Sequence, residues 1–127
     1  MFYNKIMKIS EYLQINTRPS FGNKYKNIRT VYNGYEYMSK KEANYAERLD
    51  QLKHAKLPSE RVISYKNQVP FQIELNSKKI CKYIADFKVL YQDGHIEIVD
   101  VKGVRTQVYS LKKKLVEAQY GIKIVEV

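Results

Sequence analysis

The chain has almost nothing that would hold it together covalently. It carries one cysteine, Cys81, in 127 residues, so it has no internal disulfide, and a reducing compartment is the expected setting. Its two histidines, His54 and His95, lack metal-ligand spacing and read as incidental. No run of 18 apolar residues occurs, and residues 1–17 are broken by Lys5, Lys8 and Glu11. A membrane span and a signal peptide are therefore not expected, and a cytoplasmic location is. Internal repeats, low-complexity tracts and separate sequence-reading modules such as zinc fingers are missing as well. Acids are scarce: 13 Asp and Glu stand against 23 Lys and Arg, for a net charge of +10. Such an excess points to a phosphate-bearing partner, and nucleic acid is the obvious one.

What is present is enough for one folded domain. The chain is 44% hydrophobic and 13% aromatic, sufficient for a real core at this length. Cys81 falls in a predicted strand and reads as a small buried apolar residue. Residues 1–38 form a basic, tyrosine-rich arm, in which Lys5, Lys8, Arg18, Lys24, Lys26 and Arg29 face only Glu11 and Glu36. Cations contact phosphates and interleaved rings stack on bases, so Lys24, Lys26 and Arg29 are candidate DNA contacts. The competing reading is that several of these tyrosines simply pack. Within the arm, residues 4–15 carry Ile6, Ile9 and Leu13 at helical spacing, and Asn33-Gly34 predicts a hairpin over 31–38.

The remaining chain, 39–127, reads as helix, three strands, helix, strand. Ser39 and Glu42 form a capping box; Ala43, Ala46, Leu49 and Leu52 give the helical period; Pro58 ends it. Strands are expected over 69–75, 80–91 and 96–102, with turns at Asn76-Ser77 and at Gln92-Asp93-Gly94. Thr106 caps a second helix over 107–120, with Val108, Leu111, Leu115 and Ala118 inward and Gly121 at its end. A last strand covers 122–127.

Asp86 and Asp100 lie on the two arms of the second hairpin, with Lys102 two residues further. Two carboxylates can hold a divalent ion, and a neighbouring lysine can stabilise a developing phosphorane or orient water. The hairpin's parity decides whether they meet. A two-residue loop sets Asp86 opposite Val101; a three-residue loop, with Gly94 left-handed, sets it opposite Asp100. In that register Ile84, Asp86, Ile98, Asp100 and Lys102 share one face, and Tyr83, Ala85, Phe87, Val99 and Val101 the other. Both strands are then central and covered on both sides. The plainer alternative is a buried Asp–Lys pair that satisfies itself.

Ile84-Ala85-Asp86 followed by Asp100-Val101-Lys102, with the order helix, three strands, helix, strand, resembles the PD-(D/E)XK nuclease superfamily. With Ser39 to Ala43 and Tyr109 to Lys114 added, residues 24–127 look like small phage-encoded endonucleases, a group allied to Holliday-junction resolvases. Ala85 departs from the superfamily's proline. The resemblance implies a restriction-endonuclease-like αβββαβ core with a mixed sheet flanked by helices. It implies a Mg²⁺- or Mn²⁺-dependent endonuclease acting on DNA, branched or flap DNA above all, and a homodimer. Asp86, Asp100 and the Val101 carbonyl would be metal ligands, joined by the helical acid Glu42, although the capping box already accounts for a Glu there. Lys102 would act on water or on the scissile phosphate. Gln68 is a further candidate at the start of the first strand. Arg105 and Thr106, with Lys112 and Lys113 on the second helix, would meet phosphates, although such a lysine run is often only a solvated face. The alternatives are a restriction-, transposase- or repair-type endonuclease on the same core, or a non-catalytic nucleic-acid binder.

Overall fold

A computed structural model describes residues 28–101 and 105–127; the segment predicted as a helix over 4–15 lies outside them. The fold is mixed α/β. A hairpin of β1 (Thr30–Tyr32) and β2 (Tyr35–Tyr37) precedes α1 (Lys40–Leu52), and the long strands β3 (Val62–Leu75) and β4 (Lys78–Tyr91) follow. Then come β5 (Ile96–Asp100), α2 (Gln107–Tyr120) and β6 (Ile124–Glu126). The main sheet has the order β3-β4-β5-β6, antiparallel except for the parallel pair β5–β6. No helix of the described residues is long and apolar enough to cross a membrane.

Local chemistry sets most boundaries. The Ser39 hydroxyl accepts from the Glu42 amide at 3.1 Å and starts α1, and Thr106 does the same for α2 through the Tyr109 amide at 3.0 Å. Gly121 closes α2 with φ 65°. Asn33 and Gly34, with φ 52° and 81°, turn β1 into β2; Asn76 and Ser77, with φ 51° and 65°, turn β3 into β4. α1 ends at Leu52, well before Pro58, and turns fill the interval. The first long strand begins at Val62 rather than at 69, because β4 offers partners along its whole length and Tyr91 pairs with Val62. β5 and β6 stop at Asp100 and Glu126, short of the predicted 102 and 127, and β6 starts at Ile124 rather than 122.

The β4–β5 loop has three residues. Tyr91 N–H donates to His95 O at 3.0 Å and Gly94 N–H to Tyr91 O at 2.9 Å, with Gly94 at φ 96°. Phe87 pairs with Val99, so Asp86 and Asp100 stand opposite one another one step beyond the ladder.

Two apolar cores lie on opposite faces of β5. Val99 and Val101 pack with Ala43, Ala46, Leu49, Phe87 and Val89 beneath α1. Ile98 packs with Val116, Ile124, Tyr83 and Ala85 beneath α2. The face assignment expected for β4 therefore needs correction. Tyr83 and Ala85 share their parity with Phe87 but serve the other core, and Ile84 is half exposed. The change-over falls at Asp86, opposite Gln68, whose left-handed φ of 54° interrupts the regular pleat of β3. Cover on both faces holds for Ile98 to Asp100, all buried, but in β4 only the residues of one parity, Tyr83 to Tyr91, are fully buried.

α2 is rotated away from its predicted orientation. Val108, Leu111, Leu115 and Ala118 are exposed, Leu111 at 59%, whereas Val116 is buried and Tyr109, Lys112 and Lys113 are partly covered. Polar tethers outweigh the apolar stripe. Gln119 Nε2 and the Tyr120 hydroxyl donate to Gln72 O at 2.9 and 2.7 Å. Glu74 N–H donates to Gln119 Oε1 at 2.9 Å, and Ile124 N–H to Glu117 Oε2 at 2.8 Å. These bonds satisfy backbone groups of β3, an edge strand, and of β6.

Candidate active site

Three acids from three elements meet where the hairpin changes face. Glu42 is in the first turn of α1 and only 7% exposed; Asp100 ends β5 and is 3% exposed. Asp86, partly buried in β4, lies close enough to both carboxyl groups for each to shift its titration. Burial pushes the Asp86 carboxyl up to about 6, with Glu42 reinforcing the shift and bonds from Asp100 and the Val101 amide opposing it. That amide donates to Asp86 Oδ2 at 2.8 Å.

Outer partners fix the acids. The Tyr83 hydroxyl donates to Asp100 Oδ2; burial and the Asp100 carboxylate keep that phenol well above its ordinary range. The Ser39 hydroxyl donates to Glu42 Oε1 at 3.1 Å, so the N-cap holds the same carboxylate that reaches Asp86. Gln68 Nε2 lies 3.5 Å from Asp86 Oδ1.

Among the described residues no group of three His, Cys, Asp or Glu side chains is arranged to hold an ion; the acids meet pairwise, through Asp86. Their donor type nevertheless fits a hard divalent cation, because carboxylate oxygens are what Mg²⁺ and Mn²⁺ prefer. Buried acids close to one another are also what a cation would relieve.

The predicted phosphate contacts are scattered. Arg105 Nη2 is bound to Glu126 Oε1 at 2.7 Å, and the Tyr109 hydroxyl donates to Glu126 Oε2 at 2.7 Å. Lys112 Nζ donates to Lys82 O at 3.0 Å, and Lys113 pairs with Glu117 at 3.7 Å. Arg29 pairs with Glu36 at 3.7 Å. A surface hollow of about 330 Å³ at the start of α2 is lined by Arg105, Thr106, Gln107, Ser110, Leu111 and Lys114. Lys24, Lys26 and Lys102 lie outside the described residues.

Sequence reasoning missed Tyr83 and Glu126. The parity of β4 put Tyr83 on the wrong face, and Glu126 comes beside Asp100 only through the parallel pairing of β5 with β6.

Residues 22–125 match the family described as a protein of unknown function, DUF1064. The chain belongs to the DUF1064 family. No curated protein and no solved structure matches this DUF1064 chain.

Proposed function

We propose that this DUF1064 protein is a metal-dependent endonuclease built on a restriction-endonuclease-like core, hydrolysing phosphodiester bonds in DNA. The observation that carries the reading is the meeting of Glu42 and Asp100 at Asp86, from three separate elements, in a chain of net charge +10. Acids brought together at a buried point raise the free energy of the fold unless a cation or a reaction uses them.

Asp86, Asp100, Glu42 and the Val101 carbonyl would hold a Mg²⁺ or Mn²⁺ ion. When bound, such an ion supplies polarisation of the phosphoryl oxygen and activation of water. The chain's own groups do the rest. The Val101 amide keeps Asp86 turned toward the site, Tyr83 and Ser39 hold Asp100 and Glu42, and Lys102 stabilises charge on the scissile phosphate or orients the attacking water. Arg105, Thr106, Lys112 and Lys113 around the start of α2, and Lys24, Lys26 and Arg29 in the arm, would bind flanking phosphates. Arg105, Lys112, Lys113 and Arg29 would first have to leave their present partners.

Branched or flap DNA fits this reading better than a defined sequence, since the sequence carries no recognisable sequence-reading module. Symmetric cutting of a junction requires two copies, so a homodimer belongs to the proposal. The test is a panel of labelled four-way junction, flap and linear duplex, incubated with and without Mg²⁺, with the mass in solution measured alongside. Mg²⁺-dependent nicking, lost in Asp86→Asn, supports the reading. Preference for linear duplex turns it toward a restriction-, transposase- or repair-type enzyme. No cleavage of any substrate leaves a nucleic-acid binder.

A further inference from the structure

Lys66 on β3 and Lys88 on β4 are directly opposed in the ladder. Like charges facing one another across two strands destabilise a sheet. Among the described residues neither ammonium has an acidic partner, whereas Arg105, Lys113 and Lys53 are all in ion pairs. The neighbour of Lys88 on β5 is Ile98, which is apolar and buried. The pair also has a definite place. Lys88 is two residues from Asp86, and Lys66 is two from Gln68, whose Nε2 lies 3.5 Å from Asp86 Oδ1. Along each strand two residues, roughly 6.6 Å of backbone at about 3.3 Å per residue, separate Lys88 from Asp86 and Lys66 from Gln68. Lys66 is exposed on the edge strand and Lys88 is half-buried.

We propose that Lys66 and Lys88 form a phosphate clamp that grips the nucleic-acid backbone beside the carboxylate centre. This deepens the endonuclease reading and rests on it for the choice of a phosphodiester chain as ligand. Carboxylates repel a phosphate chain, so a backbone drawn to Asp86 needs cations close by that are not already neutralised. An anion lying between two opposed ammonium groups removes their mutual repulsion, so the unfavourable pair in the free protein becomes a favourable one in the complex. A guanidinium fork is not needed, because a lysine binds phosphate as a point charge.

The test uses full-length protein and a labelled DNA duplex, with dissociation constants measured over a range of salt without divalent metal, so that no cleavage intervenes. Lys66→Ala with Lys88→Ala is expected to lower the slope of log K against log salt by about 2, near 0.9 per lost phosphate contact. The melting temperature should stay the same or rise. Lys66→Glu is the sharper variant: it creates an attractive cross-strand pair with Lys88, so it should raise the melting temperature while weakening DNA binding. An unchanged slope in the double variant overturns the clamp, even where the wild type cleaves DNA. A reduced slope in a protein that cleaves nothing leaves the clamp standing and removes the hydrolytic reading. Failure of the wild type to bind DNA at low salt overturns the clamp as well.

Discussion

The Val101 N–H donates to Asp86 Oδ2 at 2.8 Å. The residue that follows Asp100 in the chain thus orients the other carboxylate of the pair, and the end of β5 supplies both a candidate ligand and the support for its neighbour. The amide favours the ionised form of Asp86, while burial, the largest influence, favours the neutral one.

Asp86→Asn and Asp100→Asn are each expected to abolish cleavage while DNA binding stays the same or tightens. Each carboxylate would serve the ion and also repel phosphate. Near-normal cleavage rates in both variants would remove them from the site.

The pH dependence of stability follows from the raised Asp86 carboxyl. Its folded value of about 6 lies above the ordinary 3.8, so the folded state holds the proton more tightly. The associated stability is complete below pH 3.8 and is lost as pH rises through 6. The loss is at most about 3 kcal/mol for metal-free protein. A divalent ion needs ionised carboxylates, so added Mg²⁺ should raise the melting temperature more at pH 8 than at pH 5. Calorimetry at both pH values checks this; an equal shift at the two would contradict an ion bound through Asp86. Asp86→Asn should flatten the metal-free profile.

Gln68 holds a left-handed backbone in the middle of a strand, with its side-chain amide 3.5 Å from Asp86 Oδ1. For a residue with a side chain this conformation costs about 1–2 kcal/mol. Gln68→Gly removes both the strain and the amide that approaches Asp86. It is expected to keep or raise the melting temperature and to lower cleavage roughly tenfold or more, the scale for losing an outer partner of a metal site. Unchanged cleavage would make the distortion a feature of folding alone.

Lys102→Ala should slow cleavage about a hundredfold, the scale for one preorganised charge-stabilising group. Lys102→Arg should restore little, because a planar guanidinium does not fill the place of a compact ammonium. Single-turnover rates per active molecule decide the matter: full activity in the alanine variant would reduce Lys102 to a structural counter-ion.

Much of the fold was legible because its signals are local. Ser39, Thr106 and Gly121 bound the helices through bonds or backbone angles that span no more than a few residues. Asn33-Gly34, Asn76-Ser77 and Gly94 supply the positive φ values of the three hairpin turns. The loop parity that aligns Asp86 with Asp100 could be stated as a condition, and the three-residue loop meets it. The first half of β3 was not legible, since Val62 to Gln68 has little apolar alternation and is a strand because β4 pairs with it.

Local signals in the chain place the starts of the helices and turns, and composition supplies the chemical groups and the charge excess that favours a phosphate-bearing partner. Each of these depends on residues within about one helical turn or on composition. Long-range packing sets Glu42 near Asp86, turns the apolar stripe of α2 outward and places Lys66 across from Lys88. Those outcomes depend on register and on polar tethers between distant segments. A hydrogen bond from Tyr120 to a carbonyl 48 residues away, which helps to set the rotation of α2, leaves no periodic trace in the chain.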